Sequence, residues 1–163
     1  MLWWTVIGTL ASVIGLGVGI YVIIIASGAR DAARAARALA RRRNLVEELE
    51  GAFQKIQQVG NFIQQEQWVA VRIRTEEILA ACKITLTRWP SYLSSERRNE
   101  VITAGSLMRS IMTATAESTN EPMTLQQKRK IIDAHIRASG HLSSALGEAR
   151  REEERNGDTP NGN

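Results

Sequence analysis

The sequence predicts an all-α protein: a single N-terminal transmembrane helix followed by a basic helical neck and a small cytoplasmic helical bundle. Three observations predict it. The first 28 residues, MLWWTVIGTLASVIGLGVGIYVIIIASG, hold no charged side chain. Residues 29–43 are Ala and Arg almost throughout. Beyond them apolar residues recur three and four apart, the period of a helix face, with no alternating strand pattern and no internal repeat. The expected divisions are a transmembrane helix over 1–28, a juxtamembrane helix over 29–44, a bundle over 45–150 and a disordered tail over 151–163.

The 23 residues 3–25 make about 35 Å of helix at ~1.5 Å per residue, enough to cross a bilayer core of roughly 30 Å. Trp3 and Trp4 stand at one end, where indole rings favour the headgroup region. A cleaved signal peptide fits less well. Ala26-Ser27-Gly28 resembles a cleavage site, but no Lys or Arg precedes an apolar run that is longer than the roughly 7–15 residues of a signal sequence. The flanking charge then sets the orientation. Six arginines, Arg30, Arg34, Arg37, Arg41, Arg42 and Arg43, follow the segment, which predicts a single-pass protein with its N-terminus outside and residues 29–163 in the cytoplasm. Within the segment Gly8, Ser12, Gly15 and Gly19 step by four, three and four along one face and include a G-x-x-x-G match. Small residues let helix backbones approach closely, so this face is expected to drive self-association.

The neck is a helix on composition, since Ala and Arg are strong helix formers. Ser27-Gly28 is its one expected hinge. Arg30, Arg34, Arg37 and Arg41 fall within about 60° of arc at ~100° per residue, a stripe suited to the anionic headgroups of a lipid bilayer. The location of the charge excludes a nucleic-acid reading of the high pI of 9.7. Residues 29–43 carry net +5, residues 44–100 net −1, residues 101–149 net +1 and residues 150–163 net −1, which sum to the net +4 of the chain. The excess is confined to the neck. The single cysteine, Cys82, allows no intramolecular disulfide, sits among apolar residues, and reads as a small buried hydrophobe.

Leu45, Leu49, Ala52, Ile56, Val59 and Ile63 are spaced four, three, four, three and four. This is a seam of about two and a half heptads, short for a free-standing coiled coil and sufficient for one helix of a bundle. Gly60-Asn61 is the only local break signal before residue 90, and helix continuity through it is left open. Trp68, Val71, Ile78, Cys82, Leu86 and Trp89 form a second apolar face, and Pro90 ends that helix at the residue before it. Residues 91–94 are a turn. A third helix over 95–118 is expected to bury Val101, Gly105, Met108, Met112 and Thr115, with Ile102 and Ile111 beside them. Residues 118–122 are a loop by composition. Thr124-Leu-Gln-Gln127 is a capping-box pattern that opens a fourth helix to about residue 151. Its expected inner face is Lys128, Ile131, Ile132, His135, Ser139, Leu142 and Leu146.

Signatures of catalysis and metal binding are absent. The chain has no Gly-Lys pair and so no P-loop, and no G-x-S-x-G elbow. His135 and His141 are six residues apart, about 120° from a shared helix face at ~100° per residue, so one helix cannot offer both to one metal. Glu76 and Glu77 are neighbours and do not face each other. No catalytic, cofactor-binding or metal-binding residue is expected, and no nucleic-acid partner. The function expected is a membrane-anchored helical interaction or scaffold protein, a homo-oligomer or the binder of a protein partner through its helices. The alternative is an oligomerising membrane-perturbing effector, assembled through Gly8, Gly15 and Gly19 and triggered through the bundle.

Overall fold

The computed structural model describes the backbone of residues 2–117 and 122–157 and the side chains of residues 21–117 and 122–155. Among the described residues there are four helices and no strand: α1 (Leu2–Gln64), α2 (Trp68–Arg88), α3 (Ser95–Glu117) and α4 (Leu125–Gly157). The chain divides into two compact units, Met1–Ala40 and Arg41–Asn163.

The described residues of the first unit are helical throughout. Ser27-Gly28 does not act as a hinge. Ser27 Oγ donates back to the Ile24 carbonyl at 2.8 Å, a bond that a continuous helix makes available. A glycine in a helix costs only about 1 kcal/mol relative to Ala, and the Ala-rich turns around it offset that. The single-pass expectation is corrected. Among the described residues no helix is long and apolar enough to cross a membrane. The described side chains supply only the short apolar run Tyr21, Val22, Ile23, Ile24 and Ile25, all exposed, before the arginines begin; a span needs roughly 20 such residues. The association face Gly8, Ser12, Gly15 and Gly19 lies outside the described side chains.

The second unit is an antiparallel helical bundle. Its α1 segment and α2 run in opposite directions, as Trp89 Nε1 donating to Glu48 Oε2 at 2.8 Å and Lys55 Nζ 3.5 Å from Glu77 Oε2 require. The α1 segment pairs with α4 in the same sense: Glu50 meets Arg150 at 3.0 Å, and Gln57 donates to Ser139 Oγ at 3.3 Å. Helix α3 packs on both α2 and α4. The core lies along the common axis, where Leu49, Ile56, Val59, Val71, Ile78, Val101, Met108, Ile111, Ile131 and Leu142 are all buried. Each such aliphatic side chain contributes about 1.5–3 kcal/mol on leaving water.

Local chemistry explains where the helices stop. Helix α1 runs through Gly60-Asn61 and ends at Gln64, where a Schellman motif closes it: Glu66 N–H donates to Ile63 O at 3.1 Å and Gln67 N–H to Phe62 O at 2.9 Å. The residue in the left-handed region is Glu66, at φ 56°, where glycine is usual. Helix α2 ends at Arg88. Trp89 is its C-cap at φ −120° and ψ 41°, and Pro90 follows. Ser94 Oγ accepts the Arg97 N–H at 3.2 Å and caps α3. Thr124 and Gln127 make the reciprocal capping box: Gln127 N–H donates to Thr124 Oγ1 at 3.2 Å, and Thr124 N–H donates to Gln127 Oε1 at 2.8 Å. Helix α4 continues past residue 151 to Gly157; the remainder of the expected tail, residues 158–163, lies outside the described residues.

The buried faces of α2, α3 and α4 differ from the expected ones because small and hydroxyl-bearing residues fill core positions. Thr75 and Thr85 are buried on α2 and Thr115 on α3. Thr75 Oγ1 donates to Val71 O at 2.7 Å and Thr115 Oγ1 to Ile111 O at 2.9 Å, so these hydroxyls are satisfied within their own helix and expose a methyl to the core. On α4 the seam is Ile131, Ala134, Ala138, Leu142, Ala145, Leu146 and Ala149; Ile131, Leu142 and Leu146 are buried as expected, while Ile132 is exposed and His135 only half-buried. Alanine at four of these seven positions allows a close approach to the neighbouring helices. On α3, Ala104 and Ile111 are buried, Gly105 and Met112 are half-buried and Ile102 is exposed.

Candidate docking groove

The six seam residues Leu45, Leu49, Ala52, Ile56, Val59 and Ile63 are all 7% exposed or less, buried against helices of the same chain. They hold the bundle together and offer no seam to a second chain. Arg30, Arg34, Arg37 and Arg41 are exposed, and Arg34 pairs with Asp31 at 3.3 Å. The effector alternative depended on a membrane span and on side chains that are not described.

Two inter-helix features position the bundle surface. Arg97, only 3% exposed, lies 3.2 Å from Glu148 through Nε, pairs with Glu152 through Nη2, and donates to the Tyr92 carbonyl at 3.4 Å, so α3 and the α2–α3 turn are tied to α4. The Nε contact is an ion pair and not a hydrogen bond, because its N–H has no acceptor in line. Opposite this, Lys128 Nζ pairs with Glu66 and sits 6.0 Å from the Trp68 ring centre, which ties the α1–α2 turn to the start of α4.

Between α2 and α3 runs a groove of about 820 Å³. Leu79, Cys82 and Leu86 line it from α2, and Val101, Ile102, Gly105 and Met112 from α3. Gly105 leaves its floor without a side chain at the point nearest Cys82: a Cβ there would make an ordinary contact, 3.9 Å from Cys82 Cβ. Ile102 is 48% exposed although it stands beside this apolar floor. Lys83, Arg98 and Arg109 form the rim, all exposed. No carboxylate lines the groove, and among the described residues none of the three cations has an ion-pair partner. The Cys82 thiol at the floor is pushed up to about 11 by burial, so it remains protonated near neutral pH and is a poor nucleophile.

The arrangement is suited to binding rather than to bond-making. Its floor is aliphatic, its rim is cationic, and it has no base positioned beside a nucleophile. Among the described residues no cluster of three His, Cys, Asp or Glu could hold a metal. Sequence reasoning did not single out this groove. Arg98, Ile102, Gly105 and Arg109 are spaced four, three and four, a legible stripe, but its meaning depends on which stripe of α2 lies beside it. Comparison with protein-family models, with curated proteins and with solved structures finds no match.

Proposed function

We propose that this chain is a helical interaction module with no catalytic site of its own, and that the α2–α3 groove is where a protein partner docks. The observation that carries this reading is Ile102. An aliphatic side chain left 48% exposed beside a half-open apolar floor gains about 25 cal/mol for each Å² that a partner removes from water. Apolar clefts with a few polar groups at the margin are the usual form of recognition surfaces. The bundle supplies rigidity: Ser94 caps the start of α3, the Trp89 N–H closes the end of α2 on the Thr85 carbonyl, and both helices carry buried residues along their inner faces, so the groove walls are fixed before a partner arrives.

Site-specific photo-crosslinking in the cells that produce the protein tests this reading. A crosslinker is placed at position 102 in the groove or at position 136, an exposed isoleucine on α4 away from it. The expected result is a discrete adduct of one mass from position 102 only. No adduct, or the same adducts from both positions, would overturn the reading.

A further inference from the structure

We infer that the occupant of the α2–α3 groove is an amphipathic helix of about four turns, apolar on one face and acidic along both flanks. The inference rests on the proposed docking role and names the chemistry of the partner. Length is the first argument. On α3 the groove extends from Arg98 to Met112, about 21 Å at ~1.5 Å per residue, or about four turns. An apolar trough of that length between two helices is filled well by a third helix, whose i, i+4, i+7 and i+11 residues reach the floor in register.

Charge is the second argument, and it selects the kind of helix. Lys83 stands on the α2 wall, and Arg98 and Arg109 stand on the α3 wall. A docked helix therefore meets cations on both sides, and among the described residues none of the three is already paired within the chain. Acidic flanks would complement them, whereas basic flanks would be repelled; such complementarity governs selectivity and association rate. Nucleic acid fits poorly, because the groove offers no aromatic ring for base stacking and a phosphate backbone would leave Ile102 uncovered. The apolar stripe on α4 of a second copy, Leu125, Ile132 and Ile136, also fits poorly: Arg129 and Lys130 flank it and its Asp133 is already 3.9 Å from Arg137, so it would bring cations against cations.

The test uses the full chain and three fluorescent helical peptides of identical leucine spacing: one with glutamate flanks, one with lysine flanks, and a glutamate peptide broken by two prolines. Binding is read by anisotropy to wild type, Ile102→Asp, Arg98→Glu/Arg109→Glu and the control Ile136→Asp, with circular dichroism confirming that each variant is folded. The glutamate peptide is expected to bind at least tenfold more tightly than the other two at low salt. That preference narrows as salt is raised, because screening shortens from about 10 Å at 0.1 M to about 3 Å at 1 M. Ile102→Asp abolishes binding, Ile136→Asp leaves it unchanged, and Arg98→Glu/Arg109→Glu reverses the preference toward the lysine peptide. Equal binding of glutamate and lysine peptides, both lost in Ile102→Asp, overturns the acidic-helix inference and supports the groove itself. Binding that is insensitive to Ile102→Asp overturns both. No binding of either peptide overturns the inference and leaves the crosslinking at position 102 to decide the docking role.

Discussion

Gly60 lies directly under the imidazole of His135, and replacing it should change sign according to what occupies position 135. A Cβ built on Gly60 would sit 2.9 Å from His135 Cε1 and 3.1 Å from Nε2, against about 3.5–4.0 Å for ordinary carbon contacts. The ring cannot swing away freely, because Nε2–H donates to the Ile56 carbonyl at 3.0 Å. Gly60→Ala therefore overpacks the α1–α4 contact at a cost of about 1–3 kcal/mol, while the better helix propensity of alanine returns about 1 kcal/mol. The net expectation is a loss of up to about 2 kcal/mol. In a His135→Ala background the clash is gone, and the same substitution should stabilise by about 1 kcal/mol. His135→Ala alone loses a hydrogen bond worth about 0.5–1.5 kcal/mol. A double-mutant cycle by urea unfolding of the full chain, followed by circular dichroism, reads the coupling directly. Additive effects, with Gly60→Ala stabilising in both backgrounds, would refute the reasoning and mean that the ring does not hold this place.

Two other contacts make sharp predictions. Removing both partners of Arg97 with Glu148→Gln/Glu152→Gln leaves a buried guanidinium uncompensated and should cost about 3–5 kcal/mol. Arg97→Met leaves only two partly exposed carboxylates that water can reach, and should cost less, about 1–2 kcal/mol; urea midpoints in the opposite order would show that desolvation of Arg97 does not govern the stability of this cluster. Glu66→Gly and Glu66→Ala both lose the ion pair to Lys128, but only glycine relieves the left-handed backbone at φ 56°. Glu66→Gly should therefore be the more stable of the two by about 1 kcal/mol, seen as the higher Tm by circular dichroism, and an equal or lower Tm would refute the strain.

Several elements were legible because their signals are local. Pro90 constrains the residue before it, so the end of α2 could be read one residue from its observed place. Thr124 and Gln127 make the capping box within a single turn, and it needs no partner from elsewhere. The spacing from Leu45 to Ile63 marked an apolar face that the bundle buries. Other elements were not legible, for physical reasons. The turn after α1 carries no glycine in the left-handed position; Glu66 occupies it and makes its ion pair with Lys128, 62 residues away. Gly60 has the composition of a break, but its use is to leave room for a ring from α4.

Periodicity, capping chemistry and helix propensity, each acting within a few residues, determined from the sequence alone that this chain is all-helical, with helix ends at Pro90 and Thr124. The same local signals led to a single-pass membrane span that the described helices do not support. Only the tertiary structure decided which side chains are buried on α3 and α4, because alanine and threonine enter a core only where a neighbouring helix approaches closely enough to use their small size. It also decided where Lys83 meets Arg98 and Arg109 across an apolar floor. A groove is a relation between two helix faces, and the energy that aligns them comes from the whole core, from Leu49 and Ile56 to Ile131 and Leu142, not from the residues that line it.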